Sequence, residues 1–148
     1  MFNYFALLLA VAAGIGAPFQ LGVNTQLRHY VHTPIMSAFI SFLGGTLVLI
    51  VLIAIGVLGR GEFAGVTRAP WWTLIGGFFG AFYVTAAIIV SPRIGATTTA
   101  AAIIFGQLVT SVVLDHFGLV GFPRIPISIP RLVGAIMLLG GVILIQRR

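Results

Sequence analysis

The sequence predicts an all-α integral membrane bundle of five transmembrane helices, and three observations carry that prediction. Hydrophobic residues fill 59% of the 148 positions and charged residues only 7%, where an ordinary soluble domain has about 25% charged residues. Mean hydropathy is +1.17. Five apolar segments approach or reach the roughly 20 residues that a helix rising 1.5 Å per residue needs to cross hydrocarbon. They run at about 4–24, 35–58, 70–90, 97–117 and 131–146. No internal repeat is visible, so residues 1–148 read as a single five-span transmembrane domain.

Eight Arg and no Lys stand against Glu62 and Asp115, for a net charge of +6. The Arg are spread between apolar segments instead of clustered, which excludes a nucleic-acid interface and fits anchoring at the ends of spans. With no Cys, the chain offers no disulfide, thiolate metal site or cysteine nucleophile. The first apolar stretch has no basic residues before it and is followed by further spans, so it reads as a span and not as a cleaved signal.

The first span, about 4–24, carries Gln20 and Asn24 four residues apart and therefore on one helical face. Gly14, Gly16 and Pro18 precede them, and Pro18 is expected to loosen the helix. Arg28, His29 and His32 read as a short polar loop. Two His without a third ligand do not make a metal site. Thr33-Pro34 is a helix start, Thr as the cap and Pro in the first turn. In the second span Ser37, Ser41 and Gly45 form a small-residue stripe at spacings of four, beside Gly44, that lets another backbone come close.

Residues 59–69 have ordinary loop chemistry. Pro70-Trp71-Trp72 opens the third span with paired indoles suited to the membrane interface; Gly76, Gly77 and Gly80 thin one side of it, and Tyr83 falls near mid-depth. Residues 91–95, Ser-Pro-Arg-Ile-Gly, read as a tight connection. The fourth span carries Thr99, Gln107, Ser111 and Asp115 at multiples of four, one polar stripe, with Gln107 about 15 Å along by the helical rise. Three prolines at 123, 126 and 130 keep 118–130 extended. The last span is short and glycine-rich, ending on Arg147-Arg148.

Taken in order, Pro18, Gln20, Asn24, Ser41-Phe42 before Gly44, Pro70-Trp71-Trp72, Gly80-Ala81-Phe82-Tyr83-Val84, Gly106-Gln107 and Asp115-His116-Phe117-Gly118 make the chain resemble the YdcZ-like family. That family is the five-helix branch of the drug/metabolite transporter superfamily, and the resemblance covers essentially the whole length. It implies a five-span half-transporter in a bacterial plasma membrane. Larger members of the superfamily carry two such halves in inverted orientation, and the four-helix small multidrug resistance proteins reach the same arrangement as antiparallel dimers. The chain departs from that last branch in having no carboxylate in its first span, so their antiport mechanism does not transfer. The resemblance brings no substrate with it.

An amide side chain without a hydrogen bond in hydrocarbon costs roughly 2–7 kcal/mol, so polar residues inside the spans must face protein, water or a ligand. On that ground Gln20, Asn24, Tyr83, Gln107 and Ser111 are the candidate substrate-binding residues. Each has a plainer reading as a helix–helix contact or as core. Asp115 and His116 are a candidate proton relay or, being near the end of the span, a loop anchor. Gly44, Gly45, Gly76 and Gly80 are candidates for close helix packing. No metal or cofactor is expected.

Two function classes follow. The first is a secondary transporter half-unit that moves a small molecule by alternating access as an antiparallel dimer, with itself or with a paralogue. The second is a non-transporting scaffold or adaptor subunit in the bilayer. An enzyme is not expected, because Asp115 and His116 alone could do acid–base work and no third group fixes a mechanism.

Counting charges adds an expectation of dual topology. With five spans, one side of the membrane carries Arg60, Arg68, Arg124 and Arg131 and the other Arg28, Arg93, Arg147 and Arg148. Orientation follows the Arg and Lys asymmetry, and here four oppose four. The test is a Thr67→Cys variant of this cysteine-free chain, treated in intact cells with an impermeant thiol reagent. Dual insertion predicts labelling of about half of the molecules, since neither side outweighs the other. Complete labelling, or none, means a single orientation and a partner chain inserted the opposite way.

Overall fold

The computed structural model describes residues 4–57, 59 and 61–147. Leu58, the predicted end of the second span, and Arg60 and Arg148, two of the charges counted above, lie outside the described residues. Among the described residues five helices are long and apolar enough to cross a membrane. The chain divides into two compact units, Met1–Val90 and Ser91–Arg148.

In the first unit α1 spans Tyr4–Val31, seven residues beyond the predicted end at 24. It passes through Pro18 without a break: one lost hydrogen bond does not end a helix whose other backbone groups would find no partner in hydrocarbon. At about 42 Å, by the helical rise, α1 exceeds the roughly 30 Å hydrocarbon core, so the predicted polar loop at Arg28 and His29 is its last turn. The chain reverses at His32, in the left-handed region at φ 63°. Thr33 then caps α2 (Pro34–Ala54), its Oγ1 accepting the Met36 N–H at 3.1 Å with Pro34 in the first turn, as its sequence signature requires.

α2 stops at Ala54, before the predicted 58, where Gly56 and Gly59 take positive φ. The following loop is wound into a 3-10 turn at Phe63–Arg68, which leaves Thr67 exposed. The third span opens on a second 3-10 turn, Trp71–Ile75, before α3 (Gly76–Ile94). The predicted tight connection at 91–95 is instead the last turn of α3, Pro92 included, ended by Gly95 at φ 85°.

The small-residue stripe of α2 brings it onto α1. Ser37 is fully buried and donates its Oγ hydrogen to the Asn24 carbonyl at 2.6 Å. A few apolar side chains then close the unit: Ala38 from α2 packs with Val84 and Ile88 from α3, and Tyr83 lies against them. Gly80 of α3 faces Phe42 of α2 so closely that a Cβ would sit 3.3 Å from the ring. At Gly44, Gly45 and Gly76 a Cβ would meet nothing within 4 Å among the described residues.

In the second unit α4 (Ala96–Phe117) packs on α5 (Ile129–Gln146). Gly118 ends α4 in the left-handed conformation at φ 64°. The segment predicted to be extended contains one short 3-10 turn, Leu119–Gly121. α5 starts at Ile129, ahead of the predicted 131, because Pro130 falls in its first turn, where a proline's missing N–H is no loss.

Gly80→Leu is expected to drive the Phe42 ring off α3. Overpacking of this kind typically costs about 1–3 kcal/mol, and the purified protein should melt earlier, while Gly76→Leu leaves the melting temperature of the single chain unchanged. Equal melting of the two variants would show that the contact between α2 and α3 carries no stability.

Candidate functional site: a water-sized cleft between α1 and α3

The polar face of α1 looks at α3. Gln20 and Asn24 line a cavity together with Ala17 and Leu21, and α3 supplies Tyr83, Ala87 and Ile88 on the opposite wall. Three of the five candidate substrate-binding residues therefore meet at one place. The cavity measures about 10 Å3, at the lower limit of roughly 10–15 Å3 that admits one water molecule.

Asn24 is 3% exposed, and its Nδ2 amide has no hydrogen-bond acceptor among the described residues. A buried unpaired donor costs about 1–3 kcal/mol. One turn earlier the Gln20 Nε2 reaches the Ser41 Oγ only at 3.5 Å, the outer edge of a hydrogen bond. The two amides thus present N–H groups that the described residues satisfy poorly or not at all.

One turn after Asn24, Arg28 completes the same helical face. Its Nη1 donates to the backbone carbonyl of Ile88 at 3.2 Å. The physical reason lies four residues further along α3. In an α-helix the Ile88 carbonyl would accept the N–H of residue 92, but that residue is Pro92 and has none. The guanidinium supplies the missing donor to a residue that is itself fully buried. Sequence reasoning missed Arg28, which reads as a loop charge; the signal was its spacing of four from Asn24 and eight from Gln20.

The fourth-span candidates lie in the other unit. Gln107 falls at the middle of α4, and both it and Ser111 are exposed. Thr99, on the same stripe, is buried and donates to the Gly95 carbonyl at 2.7 Å. Asp115 and His116 hold the loop that follows α4. The Asp115 carboxylate pairs with Arg131 of α5 at 3.0 Å, and its backbone carbonyl accepts the Ile125 N–H at 2.7 Å. The His116 Nδ1 accepts the Ile127 N–H at 3.1 Å, while the Arg124 Nε donates to the His116 carbonyl at 3.3 Å. These contacts tie both residues to the loop after α4 and to α5, with the His116 Nδ1 engaged by the backbone. Among the described residues no group of three or more His, Cys, Asp or Glu gathers as metal ligands.

No solved structure matches the chain. The family profile described as "Putative inner membrane exporter, YdcZ" matches residues 5–144. The "Inner membrane protein YdcZ" of Escherichia coli (strain K12) is 33% identical over 140 residues, covering 93% of this chain and 92% of that protein. The superfamily consists of transporters, which are not enzymes, and the five apolar helices are those of a multi-pass protein of the inner membrane. Fold and similarity together fit a small-molecule membrane transporter, and the chain belongs to the YdcZ-like family of the drug/metabolite transporter superfamily.

Proposed function

We propose that the protein is half of a secondary transporter, working as an antiparallel dimer that moves a small molecule by alternating access. The observation that carries this reading is the exposure of Gln107 and Ser111 at mid-span on α4. Lipid offers an amide or a hydroxyl no hydrogen bond, so a polar pair at that depth calls for protein or an aqueous path beside it. Secondary transporters place their substrate near the midplane, between repeats of inverted topology. A second copy in the opposite orientation would supply both. In that dimer Gln20, Asn24, Tyr83, Gln107 and Ser111 contribute to substrate binding, all five spans act as one transmembrane domain, and Gly44, Gly45 and Gly76 are available for contact between copies. Cleft opening would accompany transport, since the cavity between α1 and α3 is too small for anything larger than water. A scaffold subunit is the rival reading, and it requires no solute.

Purified protein screened against small solutes by thermal unfolding separates the two. A bound solute at a hundred times its dissociation constant stabilises by about 2.7 kcal/mol. Asn24→Ala and Gln107→Ala should each weaken that response by about fivefold or more, the loss of one hydrogen bond worth about 1 kcal/mol, with the unliganded melting temperature kept. If no solute stabilises the wild type, or both variants respond normally, the site assignment fails.

A further inference from the structure

We propose that the cleft between α1 and α3 receives the carboxylate of a small organic acid, with Arg28 as its cationic partner; this rests on the transporter reading above and names its substrate class. Two donors on the cleft's polar face lack a good acceptor among the described residues. The Asn24 Nδ2 is buried without one, and the Gln20 Nε2 has a hydroxyl at the limit of reach. A ligand that completes these groups must bring acceptor oxygens, and a carboxylate is acceptor-only.

Arg28 supplies the charge. It is half-buried, and its one hydrogen bond among the described residues goes to the neutral Ile88 carbonyl, so the guanidinium keeps its full charge and most of its five N–H donors. The chain's two carboxylates are elsewhere: Glu62 is exposed in the loop after α2, and Asp115 is held by Arg131. A charge withdrawn from water without a counter-ion is costly, and an incoming anion removes that cost. The Ile88 carbonyl also fixes where the guanidinium stands. Arg28 is not itself in the cavity wall, but it is bonded to the carbonyl of Ile88, which is, so the bond left open by Pro92 keeps a planar fork suited to bidentate recognition next to a lining residue. An organic cation would find no carboxylate in α1, α2 or α3. A cavity of about 10 Å3 accommodates one oxygen of such a group before any opening.

Lipid phosphate carries the same oxyanion chemistry, and Arg28 lies near the end of a long span, so the experiment must tell the two sources apart. Purified protein in uncharged detergent is melted with benzoate, succinate and acetate, with the corresponding amides, and with tetraethylammonium. A parallel series uses vesicles of phosphatidylcholine alone or mixed with phosphatidylglycerol. We expect a carboxylate to raise the melting temperature and its amide not to. Arg28→Lys, which keeps the charge but loses the planar fork, should weaken the response less than Arg28→Gln does. Arg28→Gln keeps a polar side chain but removes the charge, and should shift the half-saturating concentration upward by about tenfold to a hundredfold, the worth of a charge-assisted hydrogen bond. Should Arg28→Gln not fold, Asn24→Asp tests the same point by setting a like charge in the cleft, and it should abolish the carboxylate response. Equal responses to acids and amides overturn the anion assignment and leave the pocket standing, as does a response to tetraethylammonium alone. A carboxylate response that survives both Arg28→Gln and Asn24→Asp places the anion elsewhere. Stabilisation by phosphatidylglycerol with no solute response makes Arg28 a lipid anchor and overturns the proposal. Silence toward every solute and both vesicle types removes the transporter pocket along with it.

Discussion

A carbonyl that loses its helical partner where water cannot reach it must find another donor, and Pro92 leaves one such carbonyl at Ile88, a residue with no exposed surface. The chain's answer is a guanidinium from another helix, Arg28 at 3.2 Å. Much of the first unit follows from that. The bond requires α1 to stay helical past Asn24, which carries Gln20 and Asn24 onto the face opposite Tyr83 and Ile88. It also requires the last turns of α1 to come within an arginine side chain's reach of Ile88 on α3. α2 then holds to both, through Ser37 on the Asn24 carbonyl and through Phe42 in the space above Gly80. None of these contacts relies on much apolar burial. The buried hydrophobic residues among those described are only Ala38, Val84, Ala87 and Ile88, as expected where lipid is as good a solvent for Leu and Phe as another helix would be.

What the sequence made legible was governed by local physics. Length and hydropathy marked five spans because the bilayer sets both. The Thr33 cap was readable because donor and acceptor lie three residues apart. Gly80 was readable as a close approach, although its partner Phe42 was not named by any spacing. The failures share one cause, a partner distant in sequence. Ending the first span at 24 treated Arg28 as a charge seeking water, whereas its partner lies 60 residues on. Ending the third span at 90 took residues 91–95 for a tight connection, whereas α3 runs on through Pro92, whose lost bond a neighbour replaces. For the candidate site, the two amides and Tyr83 stood out as polar or aromatic groups in apolar runs, but nothing local said that they would share a cavity. The role of Asp115 and His116 as loop anchors was one of two open readings, and only the fold of residues 118–128 favours it.

Arg28 carries a double burden in this reading. It is one of four charges on its side in the orientation count, and it is also committed to a backbone carbonyl inside the folded unit. The two roles do not conflict, because they act at different times. Orientation is settled as segments enter the bilayer, from charges flanking spans that have not yet packed. The contact with Ile88 forms only when α1 and α3 associate, the later stage of membrane folding. Balance among the Arg can therefore leave insertion undecided even though one of them ends half-buried.

The same timing bears on how a dimer would be built. A chain inserted both ways produces two populations that are identical in sequence and differ only in direction, and a pair drawn one from each is related by a two-fold axis in the membrane plane. Such an interface is isologous, the same patch meeting itself. Any polar group on that patch then meets its own copy at a related depth. An amide is well suited to this, since Gln107 can donate and accept at once, where a charged residue would face its like. The middle of α4, where Gln107 lies, is the depth at which a two-fold axis in the midplane brings a residue closest to its counterpart. A residue displaced toward one end, as Asn24 and Arg28 are on α1, would instead recur once on each side of the membrane. The central amides would then be shared by both gates, and each Asn24–Arg28 pair would serve one.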